Sequence, residues 1–246
     1  MQLYSRFEGQ GPVLVLNHGW TMSHRFFERQ APLAKHFRLL FWDLPGHGDS
    51  EKRPEGYELA DAAVALRELL LVHNVRDAIA LGWSMGAQVL WDYFERYGPD
   101  PFAHFINVDA LPWGDPEKYQ VAGVRHSFHR DRYRAARKFI KRMFYQDPGE
   151  DTLNGMIEDS LRTPTEIALK YYSQIAECDY RKVFSSLKRP VLSLLGRHGF
   201  HPGLAAKLQD LNPRQEILWF EDSGHMPFWE EDHRFNHLLV ERFAKK

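Results

Sequence analysis

Residues 78–86 read Ala78-Ile79-Ala80-Leu81-Gly82-Trp83-Ser84-Met85-Gly86, and this stretch decides the fold. A short apolar run leads straight into a serine with glycine two places away on either side, and beyond it the apolar spacing turns helical. Strand, sharp turn and helix in that order are the layout of a nucleophile elbow. The glycines answer a steric need, because side chains at those two places would strike the neighbouring strand and helix. The serine is carried to a helix N-terminus, where backbone N–H groups can stabilise a developing oxyanion. Small residues around serine also occur in ordinary turns, so the surroundings must decide.

Working outward, Val13-Leu14-Val15-Leu16-Asn17 is short, apolar and branched, and reads as a buried strand. A helical pattern over 26–36 and a strand over 37–42 follow, then the Pro/Gly loop Asp43-Leu44-Pro45-Gly46-His47-Gly48-Asp49-Ser50. Helical spacing over 59–72, the strand into Ser84, a helix over 85–97 and the strand Phe105-Ile106-Asn107-Val108 continue the alternation. Such alternation implies right-handed crossovers and an α/β fold with a mostly parallel central sheet flanked by helices. From Leu111 to Leu187 the strand rhythm stops, and an Arg-, Tyr- and Phe-rich helical pattern is broken at Pro116, Pro148 and Pro164. Strands return at Pro190-Val191-Leu192-Ser193-Leu194-Leu195-Gly196 and Glu216-Ile217-Leu218-Trp219-Phe220, with helices expected near 203–211 and over 229–243. The expected division is a core over 1–110, a helical cap inserted over 111–187, and the remaining core over 188–246.

Composition narrows the function. A chain of 246 residues suits one large α/β domain with an insertion. No stretch approaches the ~20 apolar residues needed to cross a bilayer, so no membrane partner is expected. The opening Met1-Gln2-Leu3-Tyr4-Ser5-Arg6 has no apolar signal core, and the single Cys178 suits a reducing compartment; a cytoplasmic location is expected. There is no Cys/His spacing for zinc and no glycine-rich phosphate loop, so neither metal nor cofactor is expected. A formal charge of −1 gives no bulk affinity for nucleic acid.

Two further segments stand where acyl-transfer chemistry needs them. Asn17-His18-Gly19-Trp20 follows the first buried strand, and the backbone N–H groups of Trp20 and Met85 are the candidate oxyanion hole. Donors fixed in advance toward the tetrahedral intermediate are worth about 3 kcal/mol each. The alternative is a plain strand-to-helix turn. Ser223-Gly224-His225 follows the last strand; of 13 histidines, His225 alone sits directly after a strand and behind a glycine at the chain's end. It is the candidate general base, taking the Ser84 proton and returning one to the leaving group.

Together, His18-Gly19-Trp20, the loop from Asp43 to Ser50, Gly82-Trp83-Ser84-Met85-Gly86 and Ser223-Gly224-His225-Met226-Pro227-Phe228 resemble the α/β-hydrolase superfamily of serine esterases. The chain is similar to the pimeloyl-[acyl-carrier protein] methyl ester esterases of biotin synthesis and to cofactor-free haloperoxidase and lactonase-like esterases. That resemblance implies a carboxylesterase without cofactor. It also implies a triad acid in a Gly-x-x-Asp turn after the penultimate strand, but here the turn reads Gly196-Arg197-His198-Gly199. Some members move the acid to the end of the strand that follows the nucleophile helix, which in this chain is Asp109. Asp222 and Asp43 compete for the role, and a serine–histidine dyad without an acid is the remaining option.

The inserted segment carries its own signal. Between Arg125 and Arg142 eight basic residues face the single acid Asp131, a surplus of +7 that leaves −8 for the rest of the chain. Tyr133, Ala136, Ile140 and Met143 form an apolar stripe at helical spacing, while Arg130, Arg134, Arg137 and Lys141 share another side. A solvated polar face is the plain reading, and docking of an acyl carrier protein by charge complementarity the sharper one. Trp20, Trp83, Trp113, Tyr171 and Tyr172 are candidates for lining an acyl pocket. A carrier-bound methyl ester is the leading substrate, small aryl esters or lactones with perhydrolase side activity the alternative. A non-catalytic ligand receptor on the same scaffold is the third reading.

Overall fold

Strands that alternate with helices can bury their apolar runs in one way, as a single sheet covered on both faces. The computed structural model, which describes residues 2–201 and 203–244, takes this form. Seven strands lie in one sheet: β1 (Ser5–Glu8), β2 (Val13–Asn17), β3 (Arg38–Trp42), β4 (Ala78–Trp83), β5 (Phe102–Val108), β6 (Val191–Gly196) and β7 (Glu216–Phe220). Their spatial order is β1-β3-β2-β4-β5-β6-β7, and every pair is parallel except β1 with β3. Every residue of β4 and β6 is buried, as central parallel strands require.

The sheet divides the apolar core in two. Leu40 and Trp42 of β3 face α1 (Leu59–Val72) and α2 (Met85–Tyr97), while Leu39 and Phe41 face the helices that close the other side. From β2 the chain crosses to β3 on one flank and then to β4 on the other. The loops after β2 and β4 therefore open against each other at the carboxyl edge, the usual place for a site in such a sheet.

Between β5 and β6 run six helices: α3 (Pro116–Tyr119), α4 (Val121–Arg130), α5 (Arg132–Lys141), α6 (Glu150–Leu161), α7 (Thr165–Glu177) and α8 (Arg181–Ser186). Ala136, Ile140 and Met143 bury the α5 stripe as expected, but Tyr133 is 47% exposed and hydrogen-bonds Asn154 of α6 at 3.2 Å. After β6 come α9 (Leu204–Leu211), β7, α10 (Pro227–Glu230) and α11 (Asp232–Phe243). The single helix expected over 229–243 is thus two, broken at Glu231 and begun early by Pro227, whose fixed φ suits a first helical position. The helix expected over 26–36 is a 3₁₀ helix, His24–Lys35; Pro32 removes a donor from its interior and Phe27 leaves helical geometry. No helix among the described residues is long and apolar enough to cross a membrane.

Candidate active site

Backbone ladders place the serine and the carboxylate. Ser84 N–H donates to the Val108 carbonyl at 3.1 Å, and Asp109 N–H donates to the Leu194 carbonyl at 3.1 Å. Each residue thus continues its strand by one rung before turning, so the two stand side by side on β4 and β5. Ser84 turns with φ 54° and Asp109 with φ 46°, a left-handed conformation that costs non-glycine residues about 1–3 kcal/mol. The Ser84 turn fits only because its neighbours are glycines. A Cβ on Gly82 would lie 2.5 Å from the Ala87 Cα, and one on Gly86 would overlap the Asn17 carbonyl oxygen. Ser84 is half-buried, and Met85 opens α2, where an N–H has no acceptor within the helix.

His225 arrives from beyond β7. Its backbone N–H donates to the Met143 carbonyl at 2.6 Å, and its Nδ1 lies 2.6 Å from Asp109 Oδ2. Both side chains are buried. Asp109 holds the hydrogen on Nδ1, which leaves Nε2 as the basic nitrogen. The Trp83 indole lies 5.6 Å from the imidazole and donates to the His225 carbonyl at 2.9 Å. Phe200 stacks on the imidazole, ring to ring at 4.3 Å. Asp222 is exposed, and Asp43 is engaged elsewhere.

The turn after β6 explains how the acid can come from another strand. A Cβ on Gly199 would sit 2.5 and 2.8 Å from the two Asp109 carboxylate oxygens. Absence of a side chain at Gly199 is therefore what admits the carboxylate of Asp109. The two positions are complementary.

The loop after β2 is held by buried polar groups. His18 Nδ1 donates to the Gly19 carbonyl and its Nε2 accepts from Leu44 N–H at 3.0 Å, a pattern only neutral imidazole can make. Burial pushes His18 down to about 4 and His47 to about 3. Burial alone would raise Asp43; the hydrogen bond from the His24 ring, the charge His18 gains once it protonates near 4 and the N–H groups of Asp49 and His24 outweigh it and hold Asp43 at about 2. His24, Asp43 and Asp49 lie close enough to hold a cation. Yet Asp43 already accepts from His24 Nδ1 at 2.8 Å and from Asp49 N–H at 2.8 Å, and Asp49 pairs with Arg25 and Arg162. These carboxylates organise the Pro/Gly loop.

The predicted aromatic residues separate into two groups. Trp20 donates its indole N–H to the Ala168 carbonyl of α7 at 2.7 Å and packs on Phe128 and Tyr172. Half-buried Phe139 bridges Trp20 and Phe200, so an apolar wall runs from Trp20 to His225. Phe139, Phe200 and Gly199 were not legible as site residues; a glycine and an aromatic in place of the expected acid were the available signal. Trp83 and Tyr171, expected to line a pocket, are 1% and 0% exposed. Trp83 supports His225, and the Tyr171 hydroxyl donates to the Pro45 carbonyl at 3.3 Å. Trp113 sits at the seam with Asp179, under the Arg181 guanidinium. On the basic helices Arg130, Arg134 and Lys141 are exposed, whereas Arg137 is half-buried and bonded to Glu150 at 2.7 Å. A surface cavity of about 460 Å³ between α2 and α8 is lined by Phe94 and Leu187, some 15 Å along α2 from Ser84.

A sheet of this order, with a strained serine at the switch point and a histidine–carboxylate pair beside it, defines a class. The chain belongs to the alpha/beta hydrolase fold family, whose model matches residues 12–232. Among curated proteins it is similar to the pimeloyl-[acyl-carrier protein] methyl ester esterase of Vibrio cholerae, 28% identical with 98% of each chain covered. Among solved structures it is similar to an esterase from Exiguobacterium antarcticum, TM-score 0.90 and 21% identity, covering 97% of this chain and 94% of that one. A putative aryl esterase from Burkholderia cenocepacia matches with TM-score 0.85 and 26% identity, covering 97% and 93%.

Proposed function

We propose that this chain is a serine-dependent carboxylic ester hydrolase that works through an acyl-enzyme. Ser84 Oγ attacks the ester carbonyl while His225 Nε2 takes its proton. The N–H groups of Trp20 and Met85 donate to the oxyanion of the tetrahedral intermediate. The intermediate collapses as the bond to the alkoxy oxygen breaks, and His225 delivers the proton to the departing alcohol. Water then attacks the acyl-enzyme with His225 as base, releasing the carboxylic acid and Ser84. Asp109 keeps the imidazole in the required tautomer and stabilises its charged form. The 2.6 Å pairing of His225 Nδ1 with Asp109, beside the Ser84 turn, carries this reading.

The substrate proposed is a carrier-bound methyl ester of the pimeloyl-[acyl-carrier protein] type, with residues 111–187 acting as a cap. The likeness to the Vibrio cholerae protein supports it, as do the exposed cations Arg130, Arg134 and Lys141, which suit an acidic carrier protein. Small aryl esters are the second reading, favoured by the likeness to the Burkholderia structure. A fluorophosphonate probe tests the chemistry: it should label the protein, and Ser84→Ala should abolish labelling and lower hydrolysis about 10⁶-fold. A folded protein that resists the probe would instead be a ligand receptor on a hydrolase scaffold. An ester panel crossing acyl length with free and carrier-bound forms then separates the substrates.

A further inference from the structure

The loop that follows β2 turns sharply at the residue after Trp20. Met22 N–H donates to the Gly19 carbonyl at 3.2 Å, closing a turn over Gly19, Trp20, Thr21 and Met22. Thr21 occupies its third place with φ 59°. That conformation belongs to glycine or asparagine, and for a β-branched residue it is an outlier. Something outside the loop must hold it. The Ser160 hydroxyl of α6 bonds the Thr21 hydroxyl at 2.9 Å, and both residues are 1% exposed. The residue before Ser160 adds to the grip: Asp159 accepts from Ser23 Oγ at 2.6 Å and from Arg25 at 3.3 Å.

From this geometry we infer that Ser160 and Thr21 are positioning residues for the oxyanion hole. Resting on the ester-hydrolase reading above, the inference is that α6 holds the Gly19–Met22 turn in its strained form and thereby aims the Trp20 N–H. Without the hydroxyl pair, Thr21 relaxes toward negative φ and the turn carrying that donor rotates with it. Transition-state stabilisation is lost while ground-state binding is kept, because the substrate carbonyl gains little from the hole before it becomes tetrahedral.

The test is Ser160→Ala assayed with p-nitrophenyl acetate. The inference expects kcat to fall about tenfold, within the range that a small misplacement near the chemistry costs, with KM essentially unchanged. Affinity for a boronic acid, whose tetrahedral adduct on Ser84 fills the oxyanion site, should weaken by the same factor. Glycine adopts positive φ without strain, so Thr21→Gly combined with Ser160→Ala should recover most of the rate. Where Ser160→Ala fails to fold, Thr21→Val removes the same bond from the other side and Thr21→Ser retains it. An unchanged kcat in folded Ser160→Ala or Thr21→Val, or a double variant as slow as the single one, overturns the inference. Folded wild-type protein that resists the fluorophosphonate, or labelling that survives Ser84→Ala, would overturn the Ser84 hydrolase reading instead, so the two failures are told apart.

Discussion

At the carboxyl edge of the sheet, Ser84 and Asp109 are placed by main chain, each one rung beyond its strand. The helices over 111–187 reach the loops after β2 and β3 mostly through side chains: Trp20 to Ala168, Ser160 to Thr21, Arg162 to Asp49, and Tyr171 to Pro45. Main-chain placement depends little on which residues occupy the strand and fixes a reacting atom firmly. Side-chain fastening is discrete and can be undone one bond at a time. On the proposed mechanism, substitutions at the sheet edge should decide whether the chemistry runs at all, and substitutions in the helices how well it runs and on what.

The largest expected departure comes from the sheet edge. Asp109→Asn should leave the fold intact and lower kcat about 10⁴-fold, because the amide favours the wrong His225 tautomer; near wild-type turnover would remove Asp109 from the relay. Gly199→Ala inserts a methyl against the Asp109 oxygens and should cost about 100-fold in kcat, the scale of a reacting group moved by about 1 Å. Unchanged kinetics would show that the carboxylate has room to shift. A pH titration of stability probes the loop after β2. Below pH 6.5 unfolded histidines take up protons that His18 and His47 refuse until about 4 and about 3. Unfolding free energy should therefore fall by about 1.4 kcal/mol per pH unit for each as pH drops through that window. Asp43 adds a further loss below about pH 4, where the unfolded carboxyl protonates and the folded one stays ionised to about 2. Denaturant melts from pH 7 to about 3 measure this, and a flat profile would contradict it. The smallest effect belongs to the helices. Arg134→Glu with Lys141→Glu should raise KM for a carrier-bound ester several-fold, more so at low salt, and leave p-nitrophenyl acetate unaffected. Equal effects on both substrates would end the docking idea.

Much of the sheet was legible because its signals are local. Apolar runs, Pro/Gly punctuation and the glycines around Ser84 each report a steric or burial requirement within a few residues. Strand β1 was not legible: Ser5-Arg6-Phe7-Glu8 is short and polar, and only pairing with β3 makes it a strand. In the candidate site, the placement of Ser84, His225 and the loop after β2 was readable from motif order, and the pairing of Asp109 with His225 from the emptiness of the usual position. Phe139 and Phe200 were not, since one lies on α5 and the other in the turn after β6, and only tertiary packing brings them beside Trp20 and His225. For the same reason Trp83 and Tyr171 looked like pocket walls. Sequence shows that an aromatic is near a motif, but only packing decides which side of the backbone it fills.

On the proposed mechanism, an acid at the end of β5 leaves the bend after β6 without a carboxylate to supply. That bend still frames the relay, because Gly199 leaves room for the Asp109 carboxylate and Phe200 stacks on the His225 imidazole at 4.3 Å. Selection or an engineer reshaping that flank therefore has to keep the room at position 199 and a flat ring at position 200, and is freer beyond them.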